Sequence, residues 1–354
     1  MNKMFEISYA VIIGFYRRIR MLGKDYRIIQ RNKVIRKWND MDMYQKRKMR
    51  QENNSKKEVN NKTNINWFPG HMAKTRRQIT EDLKMIDVVV EILDARIPNS
   101  SQNPDIRQIT QNKKKIIILN KYDLADNAKT EKWIEYFNKK ERKVVLADSL
   151  TGKGVNETTR QIQKIMEDEM QKMADKGRIG RKIRVMIVGI PNVGKSSFIN
   201  RIAKKTSAEV GNKPGVTKQK QWIRINEKIE LLDTPGVLWP KFENEKVAMN
   251  LAITGTIKDD ILELTEVAYT LTKFMLENYR NNLLQRYSLD EKQINEILNQ
   301  EQAENENIYE IMQLIGKKRG AILGGRVDDE RTSKLILDDF RSSKLGKITL
   351  EIPE

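Results

Sequence analysis

The stretch Gly189–Ser197, GIPNVGKSS, limits what this chain can fold into more than any other segment. It follows an apolar run, IRVMIV, that reads as a strand, and it precedes SFINRIA, which reads as the start of a helix. Strand, glycine-rich turn and helix together form the context in which a GxxxxGKS pattern carries meaning. Glycines let successive backbone amides curl around phosphates, and the helix N-terminus adds partial positive charge. In that geometry Asn192, Val193, Gly194, Lys195, Ser196 and Ser197 line a phosphate chain. Lys195 reaches the β- and γ-phosphates as a catalytic cation, and the Ser196 hydroxyl faces Mg²⁺.

Four further motifs fit the same chemistry. DTPG, Asp233–Gly236, closes the strand IELL; Asp233 can hold Mg²⁺ through water, and the Gly236 amide can sense a γ-phosphate. Between the two lies Thr217, placed as a switch threonine that completes the Mg²⁺ shell only when the γ-phosphate is present. NKYD, Asn120–Asp123, directly follows the strand KIIIL. The Asp123 carboxylate can accept from the ring N–H and the exocyclic amine of guanine, whereas adenine would leave it unpaired. A mismatch of that kind discriminates by ~10⁴-fold. Asn120 and Lys121 brace this loop and cover the base. ADSLTGKG follows the next strand and offers Asp148 and Ser149 to the base edge, although it departs from a Ser-Ala-Lys pattern.

The order of these motifs is rotated, because the base-reading pair precedes the phosphate-reading trio. Joining old termini and cutting elsewhere leaves such a site intact, since neighbours in space need not be neighbours in sequence. The expected fold is therefore α/β: a circularly permuted P-loop GTPase fold with a parallel-rich sheet and helices on both faces. Strands are expected at 86–93, 116–119, 144–146, 183–188, 221–225 and 229–232, separated by segments of helical length. After Trp239–Pro240 the pattern turns helical. Three regions follow: a basic N-terminal extension at 1–63, the GTPase domain at 64–240, and an all-helical domain at 241–354.

Charge sharpens this division. The formal net charge of +19 favours a polyanionic partner. Residues 1–63 carry 17 basic against 6 acidic side chains, while residues 241–354 are slightly acidic. Bulk charge thus gives the C-terminal part no RNA affinity, and local clusters must supply it. The absence of cysteine fits a reducing compartment, so a cytoplasmic location is expected. The run MFEISYAVIIGFY, Met4–Tyr16, is too short to span a bilayer and contains Glu6, so no stable membrane association is expected.

NKYD, then GIPNVGKSS, then DTPG, together with WFPGHM (Trp67–Met72), DARIPNSSQNP (Asp94–Pro104) and DTPGVLWPKF (Asp233–Phe242), resembles the ribosome biogenesis GTPase A family. The likeness runs from Asn64 to Glu354 and includes a closing LGKITLE; the first 63 residues lie outside it. The resemblance implies GTP hydrolysis coupled to late maturation of the large ribosomal subunit. It also implies a helical C-terminal domain touching ribosomal RNA and a monomer that cycles between GTP and GDP. Many small GTPases place a Gln after the DxxG glycine, but Val237 stands here and can neither donate nor accept. Family likeness makes His71, of WFPGHM, the catalytic residue; as a plain structural residue it would cap the following helix. Likeness also suggests K⁺ beside the phosphates, bound with the help of Asn192. Lys317, Lys318, Arg319, Arg326, Arg341, Lys344 and Lys347 are the RNA-facing candidates.

Two further readings stand beside the enzyme: an RNA-binding scaffold with structural nucleotide, and a membrane-associated GTPase using residues 4–20. Asp123→Asn is expected to weaken selection for guanine, measured as the ratio of GTP to ATP affinity. An unchanged ratio refutes the base-reading role.

Overall fold

The structure, a computed structural model, describes residues 69–210, 222–232, 234, 244–300 and 304–353, with side chains described except at 69–75, 204–210 and 304. Described residues belong to a single unit that spans Ile65–Glu354. The basic segment 1–63 lies outside the described residues.

Six strands form the sheet: β1 (Val88–Asp94), β2 (Lys114–Asn120), β3 (Lys143–Ala147), β4 (Ile183–Val188), β5 (Trp222–Arg224) and β6 (Ile229–Leu232). Each lies on one of the six expected runs. Their spatial order is β3-β2-β1-β4-β6-β5, all parallel except β5, which pairs antiparallel with β6. Every residue of β1, VVVEILD, is buried, as befits a central parallel strand covered on both faces.

Alternation along β1 divides the core. Val88, Val90 and Ile92 pack with α4 (Val155–Asp175) and α5 (Lys195–Val210). Val89 packs with Ile79 and Leu83 around α1 (Pro69–Asp82), while Leu93 packs with Trp133 and Phe137 of α3 (Asn127–Lys139). Helix α4 shows the physical origin of this layer: Val155, Thr158, Ile162 and Met166 form one buried stripe at helical spacing. The short α2 (Pro104–Ile109) starts where Asn103 accepts from Asp105 N and Ile106 N, with Pro at its first turn.

Beyond the sheet come α6 (Glu245–Ile253), α7 (Leu264–Asn278), α8 (Arg280–Tyr287), α9 (Glu291–Leu298), α10 (Glu304–Lys318) and α11 (Asp329–Arg341). This region is helical with one exception to the all-helical expectation. A two-stranded hairpin, β7 (Ile322–Leu323) and β8 (Arg326–Val327), turns through Gly324 and Gly325, both at positive φ. Two-residue strands separated by a glycine pair are too short for a period-2 pattern to reveal. The apolar core runs unbroken from Ile116 and Val185 of the sheet to Leu251, Leu271 and Phe340 of these helices.

The last described residues lace the two regions together. Ile348 N donates to Leu124 O at 3.1 Å, and Leu350 N to Arg96 O at 2.9 Å. Trp133 Nε1 donates to Glu351 O at 3.1 Å. Glu351 Oε1 accepts from Asn99 N and from Ser100 N (2.8 Å), and Oε2 from Ser100 Oγ (2.7 Å) and Asn250 Nδ2 (3.1 Å). Burial pushes the Glu351 carboxyl above the usual carboxylate range, although all four donors favour its charged form. Glu351→Gln would turn an amide donor towards Ser100 Oγ or Asn250 Nδ2, so it is expected to cost about 2 kcal/mol. Thermal or denaturant unfolding of the full chain measures this, with Ile352→Ala as the exposed control.

Candidate nucleotide-binding site

Strand register gathers the site. Asp94 pairs with Asn120 across β1 and β2, Asn120 with Ala147 across β2 and β3, and Glu91 with Val188 across β1 and β4. Four loops therefore leave one edge of the sheet from adjacent carboxyl ends. Strand order reverses direction between β1 and β4, and open α/β sheets bind ligands outside the carboxyl ends at such a switch point.

The loop after β4 has the shape its glycines permit. Gly194 has φ +94°, and a Cβ there would lie 2.2 Å from Asn120 Nδ2. At Gly189 an added Cβ would meet Ile92 O at 2.7 Å. Asn192 also adopts positive φ, 61°. Helix α5 then begins at Lys195, so Ser196 and Ser197 stand exposed in its first turn, where backbone N–H groups point outward. Val193 is buried. The Lys195 ammonium donates to Thr234 O, and Thr234 Oγ1 donates to Ile187 O, bringing the DTPG segment against the glycine-rich loop.

Asn120 joins the base-reading and phosphate-reading loops. Its Nδ2 donates to Val193 O at 2.6 Å, and its Oδ1 accepts from Ser149 N at 3.1 Å and Ser149 Oγ at 2.8 Å. Lys121, at φ 58°, donates to Asn192 O at 2.7 Å and to Asp94 Oδ2 at 3.0 Å. Asp123 is half-buried beside them. Its carboxyl is pushed up, first by burial and then by the neighbouring Asp148 charge, against opposing pulls from Lys347 and Arg96.

Asp148 and Ser149, expected at the base edge, are both buried after β3 and bonded within the protein. Asp148 Oδ1 accepts from Leu150 N (2.8 Å) and Thr151 N (3.3 Å), and Oδ2 from Thr151 Oγ1 (2.5 Å). Burial alone would raise this carboxyl, but the Thr151 hydroxyl and the two amides hold it below the usual range. Asp148 thus shapes its own turn while Ser149 braces Asn120. Asn192, expected beside K⁺, donates through Nδ2 to Gly255 O at 2.8 Å.

The remaining site residues fall outside this geometry. Thr217, Asp233 and Gly236 lie outside the described residues. His71 lies in the first turn of α1, its side chain outside those described. Asp94, Arg96 and Asn250 were not singled out as functional by motif reading. Asp94 and Arg96 stand in the DARIPNSSQNP segment that carries the family resemblance, with no role assigned to either; Asn250 has no such signal.

A glycine-rich loop leading into a helix, an NKYD loop bonded to it, and strands in this permuted order define a circularly permuted P-loop GTPase. Residues 184–312 match the family model described as 50S ribosome-binding GTPase. Ribosome biogenesis GTPase A of Bacillus cereus is 47% identical over 291 residues, covering 82% of this chain and 94% of that protein. Its Thermotoga maritima counterpart is 30% identical over 296 residues, covering 82% and 95%. The crystal structure of GNP-bound YlqF from T. maritima aligns with TM-score 0.52 at 26% identity, over 79% of this chain and 99% of that one. The chain belongs to the ribosome biogenesis GTPase A family.

If Asp123 reads guanine it does so as the ionised carboxylate, and its raised pKa means that the accepting form is lost earlier as pH falls. GDP affinity is expected to begin falling at a higher pH than an ordinary aspartate would give. Titrations of a fluorescent GDP across pH 7 to about 4.5 test this, with an exposed-carboxylate variant such as Glu131→Gln unchanged.

Proposed function

We propose that this GTPase acts in late maturation of the large ribosomal subunit, with its nucleotide state coupled to rRNA binding by the C-terminal helices. The carrying observation is the bond from Asn192, in the phosphate loop, to Gly255 O in the turn after α6. A loop that encloses phosphates thereby contacts the helical region directly. The match to a family described as 50S ribosome-binding GTPase supports the choice of subunit.

Chemistry in this reading follows residue type. Lys195 neutralises the β- and γ-phosphates, while Ser196, Thr217 and Asp233 would hold Mg²⁺. The exposed Ser196 hydroxyl beside the helix N-terminus fits that part. Mg²⁺ would spread the charge developing on the transferred phosphoryl group. With Val237 unable to orient water, His71 does so, and Asn192 would help hold a K⁺ supplying the charge that an arginine finger gives elsewhere. Asn120, Lys121 and Asp123 select guanine, with Asp148 and Ser149 at the base edge and Ser149 also bracing Asn120; Val193, Gly194, Ser197 and Gly236 supply main-chain contacts to the phosphates.

Among the RNA-facing candidates, Lys317, Lys318, Arg326 and Lys347 are exposed. Lys344 lies 3.6 Å from Asp339, and Arg319 donates to Arg286 O while stacking over Tyr287. Arg341 is withdrawn from that set. Its guanidinium donates to Ala252 O, Ile253 O and both oxygens of Asp259, closing the C-terminus of α6 instead of facing phosphates. No helix among the described residues is long and apolar enough to cross a membrane. A cytoplasmic monomer that meets the subunit transiently fits this reading.

Phosphate release measured with and without large subunits tests it. Stimulation by subunits is expected, together with His71→Ala slowing turnover by about 10²-fold at unchanged GTP affinity. Turnover indifferent to subunits overturns the assembly role in favour of a scaffold with structural nucleotide.

A further inference from the structure

We propose that the buried Asp94–Arg96 pair is a positioning element of the nucleotide site, through which helix α11 sets guanine-nucleotide affinity by way of Lys121. This rests on the assignment of Asn120–Asp123 as the base-reading loop.

Asp94 is 1% exposed at the end of β1, in register with Asn120. Its Oδ1 accepts from Arg96 N (3.0 Å) and Arg96 Nε (2.9 Å). Its Oδ2 accepts from Arg96 Nη2 (2.7 Å) and Lys121 Nζ (3.0 Å). Burial opposes ionisation, but the two cations outweigh it and hold the carboxyl far below its usual range. Such a carboxylate is costly to bury and is fixed by charge-assisted bonds from two directions. Its second cation belongs to NKYD. Lys121 divides its ammonium between Asp94 and Asn192 O, so the carboxylate sets how the base-reading loop grips the phosphate loop.

Arg96 carries the pair towards the helices. Its guanidinium carbon lies 5.3 Å from the centroid of Phe340 in α11, and its carbonyl accepts from Leu350 N. Next along α11, Arg341 secures Ala252 O and Ile253 O, two residues before the Gly255 carbonyl that receives Asn192 Nδ2. Two physical routes therefore leave adjacent residues of one helix and meet at Asn192. One passes through Arg96, Asp94 and Lys121 to the Asn192 carbonyl; the other passes through the α6 terminus to the Asn192 side chain. A shift of α11 would reach the phosphate loop through both.

A double-mutant cycle on the full chain tests the proposal, reading fluorescent GDP and GTP-analogue affinities for wild type, Asp94→Asn, Lys121→Met and the double variant. Asp94→Asn is expected to weaken binding by about tenfold, yet by less than about twofold when Lys121 is already Met. Phe340→Leu, which keeps the core apolar, is expected to lower affinity by about threefold, an effect that also disappears in the Lys121→Met background. A merely structural role would give additive losses, and additivity overturns the proposal. If Asp94→Asn does not fold, Arg96→Lys replaces it in the cycle under the same criterion. Failure of wild type to bind guanine nucleotides would strike the site assignment itself, which separates the two outcomes.

Discussion

Everything at this site depends on the carboxamide of Asn120. One planar group donates to the phosphate loop at Val193 O and accepts twice from Ser149, so three loops leaving three strands are held by a single buried side chain. The arrangement uses both halves of the amide, which neither Asp nor Leu could copy. It also accounts for glycine at position 194, where any side chain would collide with the Asn120 nitrogen. The NKYD loop and the glycine-rich loop are thus coupled sterically before any ligand arrives.

Circular permutation is tolerated because parallel pairing fixes space, not chain order. β1 lies between β2 and β4, so the loop after β1 is adjacent to both halves of the site although its residues precede them in sequence. The same order sends the chain after β6 towards α6. The helical region is consequently no appended module: it shares one apolar core with the sheet, and the turn after α6 and the last described residues bond to loops at the sheet's carboxyl edge.

Much of this was legible in the sequence, for identifiable reasons. All six strands were readable because buried parallel strands are short continuous apolar runs bounded by polar turns, as in VVVEILD and IRVMIV. NKYD and GIPNVGKSS were legible because phosphate and guanine chemistry fix residue types at fixed spacing. What escaped was long-range pairing. Glu351 with Ser100, Arg96 with Phe340 and Asn192 with Gly255 leave no local pattern, since each partner is dictated by tertiary proximity alone. Arg341 misled for the converse reason: a basic residue beside other basic residues looks solvated, yet its guanidinium is bound by helix-end carbonyls and Asp259. The turn that Asp148 builds through Leu150 N and Thr151 Oγ1 likewise left no sequence pattern of its own.

Glu351 closes a loop on residues 251 and 252 positions earlier in the chain. On a ribosome, synthesis proceeds at ≈ 5–20 residues per second, so the Asn99–Ser100 amides wait many seconds for their acceptor. Contacts of such sequence separation also carry the largest closure entropy and form late. The nascent protein would pass through an interval in which β1 and the phosphate loop exist while the loop beside them is unfastened. A factor that works on ribosomes would thus fasten the loop after β1 only once residue 351 has itself been made.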